Sequence, residues 1–234
     1  MAGASKRIIC LANSRKTMGA CVVGKEATEA GWGSWVRPVS HRPKQEVSLY
    51  ERQYADGNEP NLLDVIDIPV QHHSPSSHQI ENWLLDPSQK WRLIGRLRWN
   101  DLFAMADTPR ILWANSSRTM FGLNDRVRFS RCRNFQGSLY LLHLKKLKLH
   151  VFTPGVGYGK AWLRVHAEFT YAAINYRMWV TDPAIEAAYR AKGVGIYEIG
   201  ECFVTISLGE PHDDGFCYKL VAAVISPSIQ DSHP

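Results

Sequence analysis

The chain has 234 residues, 45% of them apolar, and carries a formal net charge of +6 with a pI near 9.1. That apolar share excludes wholesale disorder, and the length suits one large domain or two small ones. No apolar run reaches the roughly 18 residues of a membrane-spanning helix, and the run behind the basic pair of "MAGASKRIICLANS" is too short for a secretory core, so a cytoplasmic protein without membrane contact is expected.

Many short apolar runs are cut by Gly, Pro, Asn and Asp, the texture of a β-rich chain with few helices. In the first half, Arg7 to Ala12, Ala20 to Lys25 and Trp35 to Ser40 read as strands. Ser48 and Glu51 stand at capping-box spacing, with Leu49, Tyr50 and Tyr54 as apolar positions of a short helix. Strands are expected again at Leu62 to Val70 and Trp91 to Trp99. Between them "QHHSPSSHQIENWLLDPSQK" reads as an insertion, in which Ile80, Trp83 and Leu84 suggest one or two helical turns. Asn100 to Ala106 reads as a short helix and Arg126 to Cys132 as an extra strand.

In the second half a long strand is expected from Leu139 to Phe152, then a turn-rich break at "TPGVGYG". Two tightly joined strands follow, Lys160 to Thr170 and Ala173 to Thr181. Asp182 suits a helix N-cap, Pro183 the first turn and Glu186 the positive end of the dipole. Lys192 and Gly193 mark its end. Cys202 to Leu208 and Tyr218 to Ser226 complete the set.

The order strand, strand, strand, helix, strand, strand is that of an oligonucleotide/oligosaccharide-binding (OB) barrel, five-stranded and partly open. The first half reads in the same order. The expected fold is mainly β: two tandem OB-fold-like five-stranded barrels with a few short helices. Residues 5–100 form the first (insertion about 71–90), 101–137 the connection and 138–227 the second. The stretches "RIICLANSRKTMGACVVGKE", "WVRPVS", "LLDVIDIPV" and "SLGEPHDDGFCYKLVAAVI" resemble the dual-OB-domain family of bacterial proteins, over nearly the whole chain. The resemblance implies two tandem OB folds and binding of nucleic acid or a related ligand. It implies no catalytic residues.

Alternation sharpens the second barrel. Leu163, Val165, Ala167 and Phe169 share one face of their strand, and Ile174, Tyr176, Met178 and Val180 one face of the next. The opposite face then displays Trp162, Arg164, His166, Arg177 and Trp179. Lys146, Lys148 and His150 join them from the preceding strand, alternating with Leu147, Leu149 and Val151. Rings that stack on bases beside cations that hold phosphates make this a candidate nucleic-acid surface. An interdomain interface also uses Trp and Arg, and that reading stays open. In "GVGYGK", Tyr158 and Lys160 sit at the edge of the same face.

A second candidate is "NSRKTMG", read as the loop between the first two strands. Asn13, Ser14, Arg15 and Lys16 offer donors for a phosphate or carboxylate, with Trp35 and Arg37 on a neighbouring strand. A polar turn needs the same residues.

Other chemistry is not supported by spacing. His72, His73, His78 and Glu81 match no zinc pattern and read as a solvated loop; "DDG" at Asp213 is first a turn signal. Asp64 and Asp67 lack a third ligand and a lysine. Five cysteines at no close spacing, with Cys10, Cys21 and Cys202 in apolar strands, read as core thiols in a reducing compartment. No metal and no cofactor is expected.

The leading expectation is a binding module without catalysis of its own. Its partner is a single-stranded or structured nucleic acid, DNA or RNA undecided, held with an affinity that falls steeply with salt. Two alternatives stay open: a sensor or enzyme for a nucleotide-like or anionic small molecule in a cleft between the barrels, and a module that buries its aromatic faces against a protein partner.

Overall fold

A computed structural model describes residues 4–155 and 162–227. It divides into two compact units, one running up to Met105 and including Gln136–Ser138, the other formed by Ala106–Phe135 and the chain from Leu139 onward.

The first unit contains β1 (Ala4–Lys16), β2 (Gly19–Thr28), β3 (Gly31–Val39), α1 (Leu49–Arg52), β4 (Asp64–His73), β5 (Asn82–Leu85) and β6 (Arg92–Arg96). Five strands close in the order β1-β2-β3-β5-β4, and β4 returns to β1. The β3–β5 pair is parallel. Closure is possible because β1 serves two partners: Ala4–Ile9 pairs with β4, and Ile8–Lys16 with β2. A bulge between Cys10 and Ala12 lets the strand turn between them. Gly24 faces Cys10 there, and a Cβ on it would lie 2.0 Å from the Ile9 carbonyl oxygen, so a side chain has no room. Ile8, Cys10, Val22, Val36, Ile66, Ile68, Val70 and Leu85 point inward, with Val47, Tyr54 and Trp91 beside them. The Ser48–Glu51 capping box forms as the sequence predicts, and starts α1 between the third and fourth strands.

Three local expectations are corrected. Asn82–Leu85 is not a helical turn but the fifth barrel strand, and the segment beyond it supplies β6, an edge strand added outside the ring. The apolar spacing of Ile80, Trp83 and Leu84 mimics a helix, but a four-residue strand is too short for its own period to show. Asn13–Gly19 is not an extended loop: Asn13 to Lys16 continue β1, and Thr17 and Met18 alone make the turn, with Thr17 at φ 46°. Arg126–Cys132 is half strand and half helix, β7 (Arg126–Arg128) running into α2 (Phe129–Cys132). The expected short helix near Asn100 is a 3-10 helix, Trp99–Met105.

The second unit adds β8 (Leu139–Leu144), β9 (Leu147–Phe152), β10 (Arg164–Tyr171), β11 (Ile174–Val180), α3 (Pro183–Ala191), β12 (Gly195–Ile199), β13 (Cys202–Pro211) and β14 (Phe216–Ile225). The order β9-β10-β11-β14-β13-β8 closes a ring, because β8 and β9 are two halves of one broken strand. The break falls at Lys145 and Lys146; the half before it pairs with β13 and the half after with β10. Again the third and fifth strands, β11 and β14, pair in parallel. Both units are thus OB-like barrels, and the molecule is mainly β.

The inward alternation holds: Val165, Ala167, Phe169, Tyr176, Met178 and Val180 are buried in one core with Leu147, Leu149 and Val151. Asp182 caps α3, accepting hydrogen bonds from Ala184 N (3.0 Å) and Ile185 N (3.2 Å). Its other oxygen accepts from Val224 N at 3.1 Å, tying the helix to β14. All five cysteines are free thiols, four of them buried. Among the described residues no helix is long and apolar enough to cross a membrane.

Candidate nucleic-acid interface

The outer face of the second barrel is organised in rows by strand register. One row runs Ile196, His150, His166, Trp179 across β12, β9, β10 and β11. The next runs Glu198, Lys148, Glu168, Arg177. Arg164 faces Phe152 at the open end. Alternation therefore brings Arg164, His166, Arg177, Trp179 and Lys148 onto one surface, with the apolar partners inside. Trp162, just before β10, is 58% exposed. Lys146 is exposed but sits in the break between β8 and β9 rather than on the sheet. Tyr158 and Lys160 lie outside the described residues.

The residues on this face differ in what they can offer a ligand. The Arg164 guanidinium lies 4.6 Å from the Trp179 ring centre, a cation–π contact. Trp179 is half-buried: His166 meets it edge-on at 3.7 Å, and Phe152 lies nearly parallel at 5.9 Å. Trp162 is therefore the indole presented to solvent. Arg177 donates from Nε to Glu168 at 2.8 Å, and Lys148 lies 3.9 Å from Glu198. Two of the cations are thus partly neutralised at the sheet surface.

His166 is fully buried, although it points to the outer side of the sheet. The chain just before β7, which shows no helical or strand period, covers it. Leu123 and Arg177 exchange both backbone hydrogen bonds at 3.0 Å, which sets the chain before β7 alongside β11 as an antiparallel bridge. Phe121 then packs 5.5 Å from Phe152. Burial, with the charges of Arg177 and His150 adding to it, pushes the His166 imidazole down to about 3, so the ring is neutral near pH 7. Neither of its nitrogens makes a hydrogen bond of good geometry. His150 is also held below its ordinary value by burial, against the opposing pull of Glu168. Between these groups lies a cavity of about 260 Å³, lined by Phe121, Phe152, Val194 and Ile196 with His150, His166 and Arg177. Ile196 was not among the residues expected here, although its strand alternates Ile196 and Glu198 against Tyr197, a pattern that could have found it. No local pattern marks Phe121.

The first-unit candidates are placed differently. Ser14 is buried and its hydroxyl donates to Cys21 O at 3.3 Å. The Asn13 amide donates to Pro60 O at 3.0 Å. Arg37 is 2% exposed; it donates to Ser138 Oγ at 2.8 Å and lies 3.1 Å from Glu81. Ser138 in turn donates to Glu81. Removing a buried charge from such a cluster strands its partner, so Arg37 is held by the fold. Arg15 is exposed, Lys16 and Trp35 are half-buried, and the Lys25 ammonium lies 5.4 Å from the Trp35 ring. His78 and Glu81, expected in a solvated loop, are both buried.

The family model of the dual OB-containing domain matches residues 6–224. The chain belongs to that family. No curated protein and no solved structure matches it. In a dual OB-containing protein, β10 and β11 are the second and third strands of the second barrel, the part of an OB fold that commonly faces ligand.

Proposed function

We propose that the outer face of β9, β10 and β11 holds a single strand of nucleic acid. The observation that carries this reading is the register itself: Arg164, Arg177, Lys148 and the rings of Phe152 and Trp179 lie on one sheet surface, with Trp162 exposed beside them. Bases stack on aromatic faces whatever their sequence, and cations beside them meet the phosphates. A binding role without chemistry fits the residues. The face has a neutral histidine and a carboxylate committed to Arg177, and neither is placed as a nucleophile or general acid.

Fluorescence anisotropy of a labelled ten-nucleotide strand across ionic strengths tests the reading. With Arg177 and Lys148 each near a carboxylate, two or three phosphates are neutralised. The logarithm of affinity then falls against that of salt with a slope of about −1.5 to −2. This is shallower than the basic composition suggests. Trp162→Ala is expected to weaken binding by about 1–3 kcal/mol. A strand that binds this variant as it binds the parent removes stacking from the account.

A further inference from the structure

We infer that the cavity beside His166 is a pocket for one nucleobase of the bound strand, entered over Ile196 and read by the two histidines. The inference rests on the strand-binding reading and goes beyond it, from a stacking surface to a site that takes a base out of the stack.

Four observations converge. The cavity, about 260 Å³, is smaller than the usual drug-sized pocket and suits a single flat ring system. Its walls are the rings of Phe121 and Phe152 and the side chains of Val194 and Ile196, surfaces suited to the faces of a heteroaromatic ring. Its polar groups are Arg177, which is paired with Glu168, His150, whose buried Nε2 lies 3.4 Å from Glu168, and the fully buried His166, with neither nitrogen in a hydrogen bond of good geometry. Buried polar atoms are almost always paired, so the two His166 nitrogens without a good partner beside a cavity mark where one belongs. Finally, the mouth is apolar and exposed: Val194 is 71% and Ile196 63% accessible. Paired with His150 across β9 and β12, Ile196 stands directly above the polar floor.

The chemistry selects the ligand class. A neutral imidazole offers one donor and one acceptor. Two of them side by side match a base edge, where donors and acceptors alternate. A phosphate or carboxylate would leave the acceptor nitrogens without a donor, and an aliphatic ligand would leave both His166 nitrogens unpaired.

The test uses the full chain and four probes, the common nucleosides. Each is titrated while the ring nitrogens of His150 and His166 are followed by long-range ¹H–¹⁵N NMR, and a ten-nucleotide strand is titrated in parallel by anisotropy. At least one nucleoside is expected to shift the His166 nitrogens saturably. Ile196→Gln, a neutral change at an exposed position, is expected to abolish that response. It should also weaken the strand about tenfold while leaving the salt slope as it was, because a base contact releases no counterions. In His166→Phe the nucleoside is expected to leave the His150 nitrogens unshifted. If the strand binds and no nucleoside moves either histidine, the base pocket is wrong and the surface reading survives. If neither strand nor nucleoside binds, both fall. A nucleoside that binds a protein indifferent to the strand also overturns the inference, since the pocket is then not part of a strand site.

Discussion

His166 shows how one side chain's environment can reverse its role. Set among Arg164, Arg177 and Trp179 in the sequence, it looks like one more cationic contact. In the structure Trp179, Phe152 and Phe121 enclose it, and the groups facing it, Arg177, His150 and Arg164, all disfavour a second positive charge. Only the Phe121 backbone works the other way. A histidine driven down to about 3 in the folded state, from an ordinary 6.5, binds fewer protons folded than unfolded. Its contribution to stability is therefore complete above pH 6.5 and is lost as the pH falls toward about 3. Urea unfolding across that range is expected to show stability rising with pH, and His166→Phe is expected to flatten the rise. A variant with the parent's slope would mean that the ring is solvated and the face open.

At the scale of elements, the β10–β11 hairpin fixes which residues meet on the face. Its two-residue loop is Ala172–Ala173, with both residues at positive φ, 48° and 61°. A non-glycine residue pays about 1–2 kcal/mol for such a conformation, and Asn-Gly is the pair that this turn prefers. Replacing Ala172 and Ala173 by Asn and Gly is expected to raise unfolding free energy by about 1 kcal/mol without changing the register. A loss of stability would contradict the turn geometry. This hairpin and α3 were legible in the sequence for a physical reason: a long period-two pattern and a capped amphipathic helix each repeat their signal several times. β5 was not legible, because Asn82–Leu85 is too short to show its period and Trp83–Leu84 fits a helical face equally well. Phe121 was not legible either. It reaches the face through a backbone bridge between Leu123 and Arg177, and a long-range pairing of that kind leaves no local trace.

At the scale of the molecule, two barrels share one plan: a first strand that serves both neighbours, a parallel closure between third and fifth strands, and a helix before the fourth. The shared plan does not carry a shared site. The first unit spends Arg37 on a buried ion pair and Ser14 and Asn13 on backbone carbonyls. The second leaves Trp162 accessible and a cavity over two histidines. Composition shows the basic excess of the whole chain but not which face carries it, and Glu168 and Glu198 temper the charge of the face that does. The most direct measurement is a photochemical cross-link from a strand carrying 5-bromouracil, mapped by mass spectrometry of the digested complex. The account predicts cross-links at Trp162 and at the cavity residues Phe121 and Phe152, competed away by unlabelled strand. Cross-links confined to the first unit, with this face untouched, would contradict it.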